Sequence, residues 1–443
     1  MSTILIIGAG KSSSYLISHL LDTATSKNRK IIIADLSEEV ASQKAANHPA
    51  ATAKSIDLEN LAERRMLIQA ADVVISMLPP SLHPMIAQDC LDLNRHFFSA
   101  SYESAFMRGL AEEIKSRGLL FLNECGLDPG LDHMSAMKII HTHQTLGHTI
   151  TSFKSYCGGV LAPESEDNPW KYKLSWNPRN VVLAGQGVSR FISNGNYKYI
   201  PYHKLFKRLE QVHFEEVGSY VGYPNRDSLT YRRLYNLEDI PTLIRGTLRR
   251  PGFCESWNIL VQLGLTDDSF TVDFPEGFTY KMLLETFLPE GNHEPIEERL
   301  KHYLPEITAA DIERLSWLGL FDDKPIPKPN GSPAAILQLL LEEKWKLDTN
   351  DRDMIVMQHQ FKIQTPKGEK QLVSSLVSKG DSSQLTAMAK TVGLPLAIAV
   401  DLFLDGNIKV RGLQIPVIPE IYNPILDALS AKGLTFTESI TDI

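Results

Sequence analysis

Ile4-Leu5-Ile6-Ile7 runs directly into Gly8-Ala9-Gly10-Lys11-Ser12-Ser13 near the start of this 443-residue chain. A continuous run of large aliphatic residues is typical of a strand buried on both faces of a parallel sheet. The glycines at 8 and 10 permit a tight strand-to-helix turn and let the backbone approach a pyrophosphate at the helix N-terminus. Ser13 stands where a third glycine or alanine is usual, so a plain βα turn stays open as the alternative.

The same pattern, a strand followed by a helix, continues to about residue 125. Apolar runs alternate with stretches of helical periodicity, which predicts an α/β fold with an N-terminal, Rossmann-like, doubly wound parallel sheet. The predicted strands are Ile4–Ile7, Ile31–Ala34, Ala53–Ile56, Val73–Leu78, Phe97–Phe98 and Leu119–Leu122. The predicted helices are Ser12–Leu21, Glu38–Asn47, Leu58–Ala70 and Ala105–Ser116.

After the turn signal Asp128-Pro129-Gly130 the pattern changes. Residues 131–278 and 346–385 mix β-like runs, such as Thr151–Cys157 and Asn180–Ala184, with loops, and predict an α+β domain. Residues 279–345 predict a small helical subdomain, and a helical segment over about 386–443 is expected to pack back on the domain of residues 1–130. The length alone predicts roughly three domains.

Composition narrows the class of protein. Hydrophobic residues make up 43% and charged residues 22%, which excludes a wholly disordered chain. The net charge of −8 argues against nucleic-acid and membrane-surface partners. The cysteines at 90, 125, 157 and 254 form no Cys-x-x-Cys pair, so no metal site is predicted. We see no signal peptide, and the apolar stretch Leu394–Leu404 is too short to span a bilayer, so a cytoplasmic location is expected.

Asp35 ends the second predicted strand, 22 residues after Ser13. A carboxylate at about this spacing accepts both ribose hydroxyls of NAD and repels the 2′-phosphate of NADP. The sequence therefore predicts a preference for NAD, with NADP as the alternative cofactor. A plain helix N-cap is the competing interpretation of Asp35.

Candidate ligand-binding residues follow the fourth, fifth and sixth predicted strands. Leu78-Pro79 and Ser101-Tyr102 fall at the carboxyl edge of the sheet, where open α/β sheets bind ligands. A tyrosine hydroxyl there can orient a substrate or share a proton, although Tyr102 can equally be a packed aromatic. The stretch from Asn123 to His133 concentrates three acids, a thiol and an imidazole, a density that suits shifted pKa values.

The window from Arg226 to Arg250 contains six arginines and no lysine. A planar guanidinium binds carboxylates through two parallel hydrogen bonds, which an ammonium does less well. The window therefore predicts a pocket for an acid with several carboxylates. A solvated face paired with Asp227, Glu238 and Asp239 is the alternative for about half of these arginines.

Taken in order, these motifs resemble the saccharopine dehydrogenase family over nearly the whole chain. The resemblance rests on Gly8-Ala9-Gly10, Ser101-Tyr102, Asn123 to His133, Ser155-Tyr156-Cys157-Gly158-Gly159, Ala162-Pro163-Glu164-Ser165, Tyr223 to Ser228, Arg245 to Arg249, Asp351 to Met354 and Thr391 to Pro395. It implies interconversion of saccharopine with glutamate and 2-aminoadipate 6-semialdehyde, by hydride transfer between an imine and a nicotinamide cofactor. It also implies a homodimer, with the α+β domain serving substrate binding and dimerisation.

The resemblance also assigns residues to roles. Cofactor contacts are expected from Gly8, Gly10, Lys11, Ser12, Asp35, Leu78, Pro79, Ser101, Leu127, Asp128 and Pro129. Substrate contacts are expected from Ser101, Tyr102, Arg226, Thr247 and Arg249. Proton transfer is expected from Tyr102, Asp128 or Cys157. Asp35 departs from the basic or small polar residue of NADP-linked fungal members, which again favours NAD.

Two other functions stay open at this point. A carboxynorspermidine-type dehydrogenase reduces a related imine, but its cationic substrate calls for an acidic pocket. A dinucleotide-binding sensor without turnover would bind the cofactor and give no rate with any amino acid.

Overall fold

The computed structural model describes residues 1–225, 227–290 and 294–443, which divide into two compact units. Unit 1 comprises Met1–Ile150 and Ile363–Ile443, and unit 2 comprises Thr151–Lys362. The domain boundaries at 130, 278, 345 and 385 stay a prediction. Arg226, a predicted substrate residue, lies outside the described residues.

Both units combine strands and helices. The described strands are β1 Ser2–Ile7, β2 Arg29–Asp35, β3 Ala51–Ser55, β4 Val73–Ser76, β5 His96–Ser99, β6 Leu120–Leu122, β7 Thr149–Leu161, β8 Val188–Ser193, β9 Asn196–Pro201, β10 Glu210–Phe214, β11 Gly218–Pro224, β12 Thr242–Arg249, β13 Val272–Asp273, β14 Asn330–Gly331, β15 Asp353–Thr365, β16 Gly368–Lys379, β17 Gly412–Gln414 and β18 Thr437–Asp442. The described α-helices are α1 Ser14–Ala24, α2 Glu38–Ala45, α3 Leu61–Gln69, α4 His83–Asp92, α5 Ala105–Gly109, α6 Ala111–Ser116, α7 Leu131–Thr145, α8 Pro178–Val182, α9 Thr230–Leu234, α10 Phe253–Gln262, α11 Tyr280–Thr286, α12 Ile296–Tyr303, α13 Ala309–Leu318, α14 Pro333–Lys344, α15 Ala387–Leu404 and α16 Pro419–Ser430.

The main sheet of unit 1 has the strand order β17-β6-β5-β4-β1-β2-β3 among the described residues. Its strand pairs are parallel throughout. The order reverses between β1 and β4, which is the arrangement of a doubly wound dinucleotide-binding sheet. The predicted fold class is therefore confirmed.

Two details of the predicted helices are wrong in unit 1. The stretch Ala105–Ser116 is interrupted at Leu110, so it forms the two short helices α5 and α6. The crossover between β4 and β5 contains α4, which the hydrophobic pattern did not predict.

The apolar helix α15 belongs to the core of unit 1. Its 18 residues have a hydropathy of 1.7, so by length and composition alone it could cross a membrane. However, 78% of it is buried inside the structure, and it packs along α1. Its burial identifies it as a core helix, in keeping with the acidic residue Asp401 within it.

Asp401 pairs with a cluster of basic side chains in unit 1. The Arg29 guanidinium, at the start of β2, pairs with Asp401 and also with Asp405 at 2.6 Å. His19 and Lys27 approach Asp401 at 3.3 and 3.2 Å. Burial raises the pKa of Asp401, but the hydrogen bond from His19 and the nearby cations outweigh it, so the pKa lies below its ordinary value.

Unit 2 is built on a mixed sheet, as the α+β pattern predicts. Strands β10, β11, β12, β7 and β15 lie side by side in this order, and the β8–β9 hairpin joins β12. Helices α10 to α14 pack around a core that contains Trp170, Trp257 and Trp345. The predicted β-like run at Asn180–Ala184 is wrong, because Pro178 and the Asn177 cap start helix α8 there.

Replacing Asp401 by asparagine should destabilise unit 1. The change leaves the buried Arg29 guanidinium with only the partly exposed Asp405 as a charged partner, so we expect a loss of about 3 kcal/mol. Thermal unfolding followed by circular dichroism measures this loss. Because the pKa of Asp401 is lowered, the stabilisation should be complete above the ordinary carboxyl pKa and vanish as the pH falls through the lowered value.

Asp405→Asn is the matched control. This carboxylate pairs with the same arginine but is more exposed, so its removal should cost no more than about 1 kcal/mol. Equal losses for the two variants would contradict a buried, charge-balancing role for Asp401.

Candidate active site

The glycine-rich turn between β1 and α1 has the shape of a phosphate cradle. Gly8 has a φ of +101°, and a Cβ there would lie 2.9 Å from the Met77 carbonyl oxygen, so only glycine fits. A Cβ on Gly10 would meet nothing within 4 Å, so the outer side of the turn is open. The buried Ser13 hydroxyl donates to the Gly10 carbonyl at 2.8 Å and closes the turn. The open backbone ahead of a helix fits a pyrophosphate, and exposed Lys11 and half-buried Ser12 border it.

Asp35 braces this turn from the end of β2. Its Oδ2 accepts a hydrogen bond from the Ala9 N–H at 2.7 Å, and its Oδ1 accepts one from the Ser37 N–H at 3.1 Å. The cap of α2 is Ser37, whose hydroxyl accepts from the Val40 N–H at 3.3 Å. Asp35 is thus not the helix cap, and both of its oxygens are already hydrogen-bonded within the protein.

A row of side chains crosses the carboxyl edge of β4 and β5. The Ser76 hydroxyl lies 2.8 Å from His83 Nδ1, and His83 Nε2 lies 2.7 Å from the Ser101 hydroxyl. Burial lowers the pKa of His83 to about 4, so its ring is neutral at neutral pH. Leu78 and Pro79 follow β4 at the same edge. The sequence patterns indicated Ser101, Leu78 and Pro79 but not His83.

The structure brings together two of the predicted catalytic residues. The Tyr102 hydroxyl donates to Asp128 Oδ1 at 3.3 Å, and Tyr102 is 38% exposed. Asp128 is half-buried between the buried residues Leu127 and Pro129. An exposed phenol on a carboxylate can hold or transfer a proton at a ligand, so this pair suits the role predicted for it.

Glu124 holds the segment that carries Ser101 and Tyr102. Its backbone N–H donates to the Ser101 carbonyl at 3.0 Å, and its Oε1 accepts from the Glu103 N–H at 3.0 Å. Its Oε2 lies 2.8 Å from His133 Nε2 on α7, and both side chains are buried. Much of the dense acidic motif therefore positions the segment around Tyr102.

In unit 2, one face of the sheet gathers the other predicted residues. Thr247 of β12 is in register with Cys157 of β7 on one side and with Tyr223 of β11 on the other. Residues opposite one another point to the same face, and Arg249 shares that face because it lies two positions after Thr247. The register thus aligns Cys157, Thr247, Tyr223 and Arg249 on one surface.

The guanidinium of Arg249 is a buried cation without a carboxylate partner in the described part of the chain. It is 3% exposed and lies over the Tyr172 and Phe253 rings, 5.3 and 5.4 Å from their centroids. It donates to its neighbouring Leu248 carbonyl at 3.0 Å, while its Nε has no partner among the described residues. Burial opposes the charge, but nearby hydroxyl and thiol groups, foremost Tyr223, raise the pKa of Arg249. Such a cation favours a ligand carboxylate.

Tyr223 supplies a hydroxyl that stays protonated. Burial raises its pKa to about 12, although Arg249 and Thr247 act in the opposite direction. The hydroxyl is therefore a neutral hydrogen-bond partner beside the cation. The family resemblance assigned substrate contacts to Thr247 and Arg249. It did not indicate the Tyr172 and Phe253 rings that contact Arg249, which come from a loop and from α10.

The other described arginines of the window serve the protein itself. Arg245 stacks on Tyr231 at 4.0 Å, and Arg250 pairs with Glu166 at 2.5 Å. Arg232 bonds to the Tyr197 hydroxyl at 3.0 Å, and Arg233 is exposed. The arginine window is therefore mainly structural, and of its described members Arg249 best fits a ligand.

Two further sequence features have internal explanations. A Cβ on Gly158 would lie 2.6 Å from the Leu248 carbonyl oxygen, so this glycine admits the neighbouring strand of the same sheet. Asp167, Asp348 and Asp351 lie close enough to hold a metal ion. However, the Lys173 ammonium contacts all three, at 2.6, 2.9 and 2.7 Å, and so occupies the position that a metal ion would take.

Together these features define a dinucleotide-binding oxidoreductase fold with a buried arginine, Arg249, that has no carboxylate partner among the described residues. The chain matches the family "Saccharopine dehydrogenase NADP binding domain" over residues 4–122 and "Saccharopine dehydrogenase C-terminal domain" over residues 126–434. The chain therefore belongs to the saccharopine dehydrogenase family, as the motifs predicted.

Curated relatives agree with this assignment. The saccharopine dehydrogenase (NADP(+), L-glutamate-forming) of Pyricularia oryzae is 32% identical over 458 residues, covering 99% of each chain. The protein of the same name in Saccharomyces cerevisiae is 33% identical, covering 97% of each chain. The mitochondrial alpha-aminoadipic semialdehyde synthase of Mus musculus is 36% identical over 86% of this chain, but the match covers 42% of that protein. The chain thus spans about two fifths of the length of this mouse relative.

Solved structures show the same fold. Apo saccharopine dehydrogenase (L-Glu forming) from Saccharomyces cerevisiae superimposes with a TM-score of 0.89 at 32% identity, over 100% of both chains. The homospermidine synthase of Legionella pneumophila superimposes with a TM-score of 0.56 at 11% identity, covering 100% of this chain and 92% of that one. The second likeness shows the fold alone.

The comparisons confirm a nicotinamide dinucleotide cofactor but contradict the predicted preference for NAD. The matching family domain is described as NADP-binding, and the fungal relatives are named for NADP(+). The prediction placed Asp35 on the ribose hydroxyls. In the structure, its carboxylate accepts two backbone N–H groups, a structural role that its position in the sequence does not distinguish from ribose binding.

Asp35→Ala tests this bracing role. The change removes the acceptor of the Ala9 N–H, so the phosphate cradle loosens whichever dinucleotide is bound. We expect the affinities for NADH and NADPH to fall together, each roughly tenfold. Fluorescence titration with the two cofactors measures both.

Glu38→Ala, in the exposed first turn of α2, is the control and should change neither affinity. A gain in NADPH affinity together with a loss in NADH affinity on Asp35→Ala would contradict the bracing role.

Proposed function

We propose that this protein is an NADP-dependent saccharopine dehydrogenase of the L-glutamate-forming type. It would interconvert saccharopine, NADP+ and water with glutamate, 2-aminoadipate 6-semialdehyde, NADPH and a proton, a step of lysine metabolism. The observation that carries the proposal is the buried, carboxylate-free cation of Arg249 on the same sheet face as Thr247, Tyr223 and Cys157. The nearly full-length match to fungal proteins named for this reaction supports it.

Arg249 would anchor one carboxylate of the substrate. Saccharopine carries three carboxylates, and a desolvated guanidinium binds one of them far more strongly than an exposed cation does. The aromatic rings of Tyr172 and Phe253 hold the cation without neutralising it. Tyr223 and Thr247, beside it, supply hydroxyl groups for the same ligand.

The cofactor would be held by unit 1. The open turn at Gly10 and the N-terminus of α1 suit its pyrophosphate, and the carboxyl edge of β4 and β5 suits its nicotinamide half. When bound, the cofactor accepts or supplies the hydride that interconverts the amine and imine. Asp35 keeps the turn in shape, and Ser101 offers a hydroxyl at the β5 edge.

Tyr102 and Asp128 are the proposed proton-transfer pair. Hydrolysis of the imine needs a group that takes a proton from water and gives one to the leaving amine. The hydroxyl of Tyr102 can do this while Asp128 accepts its hydrogen bond. Cys157 is the third candidate, and it is buried beside Thr247 in the other unit.

The first experiment is to follow NADPH formation with saccharopine, in parallel with NADH formation at matched cofactor concentrations. Turnover with NADP+ supports the proposal. Turnover with carboxynorspermidine but not with saccharopine would assign a polyamine substrate instead. NADPH binding without turnover of either compound would identify a dinucleotide sensor and overturn the enzymatic proposal.

Arg249→Lys should raise the KM for saccharopine by about ten- to a hundredfold. A lysine ammonium lacks the flat face that a guanidinium presents to the Tyr172 and Phe253 rings, and it cannot bind a carboxylate through two parallel bonds. The KM for NADP+ should stay within about twofold, because the cofactor contacts are made by unit 1. Steady-state kinetics with each substrate varied in turn gives both constants.

Arg250→Lys is the matched control, since Arg250 is the next residue in sequence and also buried but pairs with Glu166. It should lower the melting temperature and leave the KM for saccharopine within about twofold. The same large KM increase in both variants would contradict a specific role for Arg249.

A further inference from the structure

Neither burial nor a place in helix α4 requires a histidine at position 83. It is the first residue of α4 and is 3% exposed. Its ring stands edge-on to Phe97, 6.3 Å between centroids, so its plane is fixed by packing. In that plane both ring nitrogens meet a serine hydroxyl, Ser76 at 2.8 Å and Ser101 at 2.7 Å.

A neutral imidazole couples the two hydroxyls. It has one N–H donor and one acceptor nitrogen, and burial keeps this ring neutral by lowering its pKa to about 4. When Ser76 donates to Nδ1, Nε2–H must donate to Ser101, which frees the Ser101 proton for a ligand. In the other tautomer Ser101 donates to the ring and offers only lone pairs. The tautomer of His83 therefore determines whether the Ser101 hydroxyl can donate a hydrogen bond to a ligand or can only accept one.

The backbone around Ser101 is already fixed. Its N–H donates to the Ser99 hydroxyl at 3.0 Å, and its carbonyl accepts from the Glu124 N–H at 3.0 Å. The orientation of its hydroxyl is the remaining variable, and within the described residues its hydrogen bond is to His83.

The sheet order places this hydroxyl at one end of the cofactor. The phosphate turn follows β1, and β2 and β3 lie on the adenosine side of the switch point, so the carboxyl edge of β4 and β5 faces the nicotinamide half. We propose that His83 is a positioning residue, held by Ser76, which orients the Ser101 hydroxyl toward the nicotinamide end of the dinucleotide. The inference deepens the proposed function and rests on it for the identity of the cofactor.

His83→Phe tests the proposal. The ring and its packing on Phe97 are retained, and both hydrogen bonds are lost. We expect the affinity for NADPH to fall roughly tenfold, while the affinity for 2′-phospho-ADP-ribose, which lacks the nicotinamide, stays within about twofold. If His83 had only a structural role, its replacement would lower the affinities for both compounds together. Titration calorimetry with the two compounds measures this difference.

Two milder variants keep the test decisive if His83→Phe does not fold. His83→Gln retains a donor and an acceptor in reach of Ser101 and should recover most of the lost NADPH affinity. Ser76→Ala leaves His83 and Ser101 in place but removes the group that selects the tautomer, and should weaken NADPH about threefold with no change for the truncated ligand.

His96→Phe is the matched control. This second neutral histidine also has a pKa lowered to about 4 by burial, lies on β5 of the same sheet, and accepts one hydrogen bond, from the Leu120 N–H at 3.0 Å. It stands at the opposite end of that strand, so its replacement should lower the melting temperature without separating the two ligands.

Each outcome has one meaning. Equal affinities of wild type and His83→Phe for NADPH, or equal losses for NADPH and the truncated ligand, overturn the role of His83. A wild-type protein that binds NADPH but does not turn over saccharopine overturns the proposed function, and the binding comparison still decides the role of His83.

Discussion

The carboxyl ends of parallel strands must meet at one edge of a sheet, and the chemistry of unit 1 depends on this constraint. The turn after β1, Asp35 after β2, the Ser76 and Ser101 hydroxyls and the loop around Asp128 come from distant parts of the sequence. Strand pairing brings them to one edge without any direct attraction between them. The hydrogen bonds that Asp35, His83 and Glu124 make there refine this arrangement, which the sheet has already created.

Buried positive charge is stabilised in two ways at Arg29, Lys173 and Arg249, and the difference separates structure from function. Arg29 is balanced by Asp401 and Asp405, and Lys173 is surrounded by three aspartates. Arg249 instead lies over two adjacent aromatic rings, whose quadrupoles stabilise the cation but leave its charge uncancelled. Removing a cation from water without a counterion is costly unless a ligand supplies the anion. The contrast within one chain is the strongest physical argument for a ligand at Arg249.

Sequence patterns predict this fold well in segments where the hydrophobic pattern of one element type, a strand or a helix, dominates. Six of the seven described strands of the parallel sheet, all except β17, and the helices at 280, 309 and 333 follow directly from runs of apolar residues and from capping signals. Asn180–Ala184 failed because its valines favour a strand, whereas the preceding Asn177-Pro178 starts a helix. Helix α4 was not predicted, and His83 was missed with it, although Ile86, Ala87, Cys90 and Leu91 recur with helical spacing.

The residue types of the candidate site could be predicted from the sequence, but the hydrogen-bond and packing partners of these residues could not. Spacing indicated Asp35, the position after a predicted strand indicated Tyr102, and the arginine-rich window included Arg249, whereas Thr247 was assigned by the family resemblance alone. The sequence could not indicate that Asp35 bonds to Ala9, or that Arg249 lies over Tyr172, because hydrogen bonds and ring contacts between residues far apart in sequence have no local signature. Hence the NAD preference inferred from Asp35 was wrong although the position was well chosen.

Unit 1 is assembled from both ends of the chain, and this fixes an order of events during synthesis. Strand β17 pairs with β6, and α15 covers α1 and neutralises Arg29, yet both elements follow residue 386. Unit 2, in contrast, is one continuous segment. On the ribosome, the nucleotide-binding sheet must therefore wait with an exposed edge and an unbalanced charge until the intervening unit has emerged. A chaperone that recognises this partly formed sheet would meet it on every molecule made.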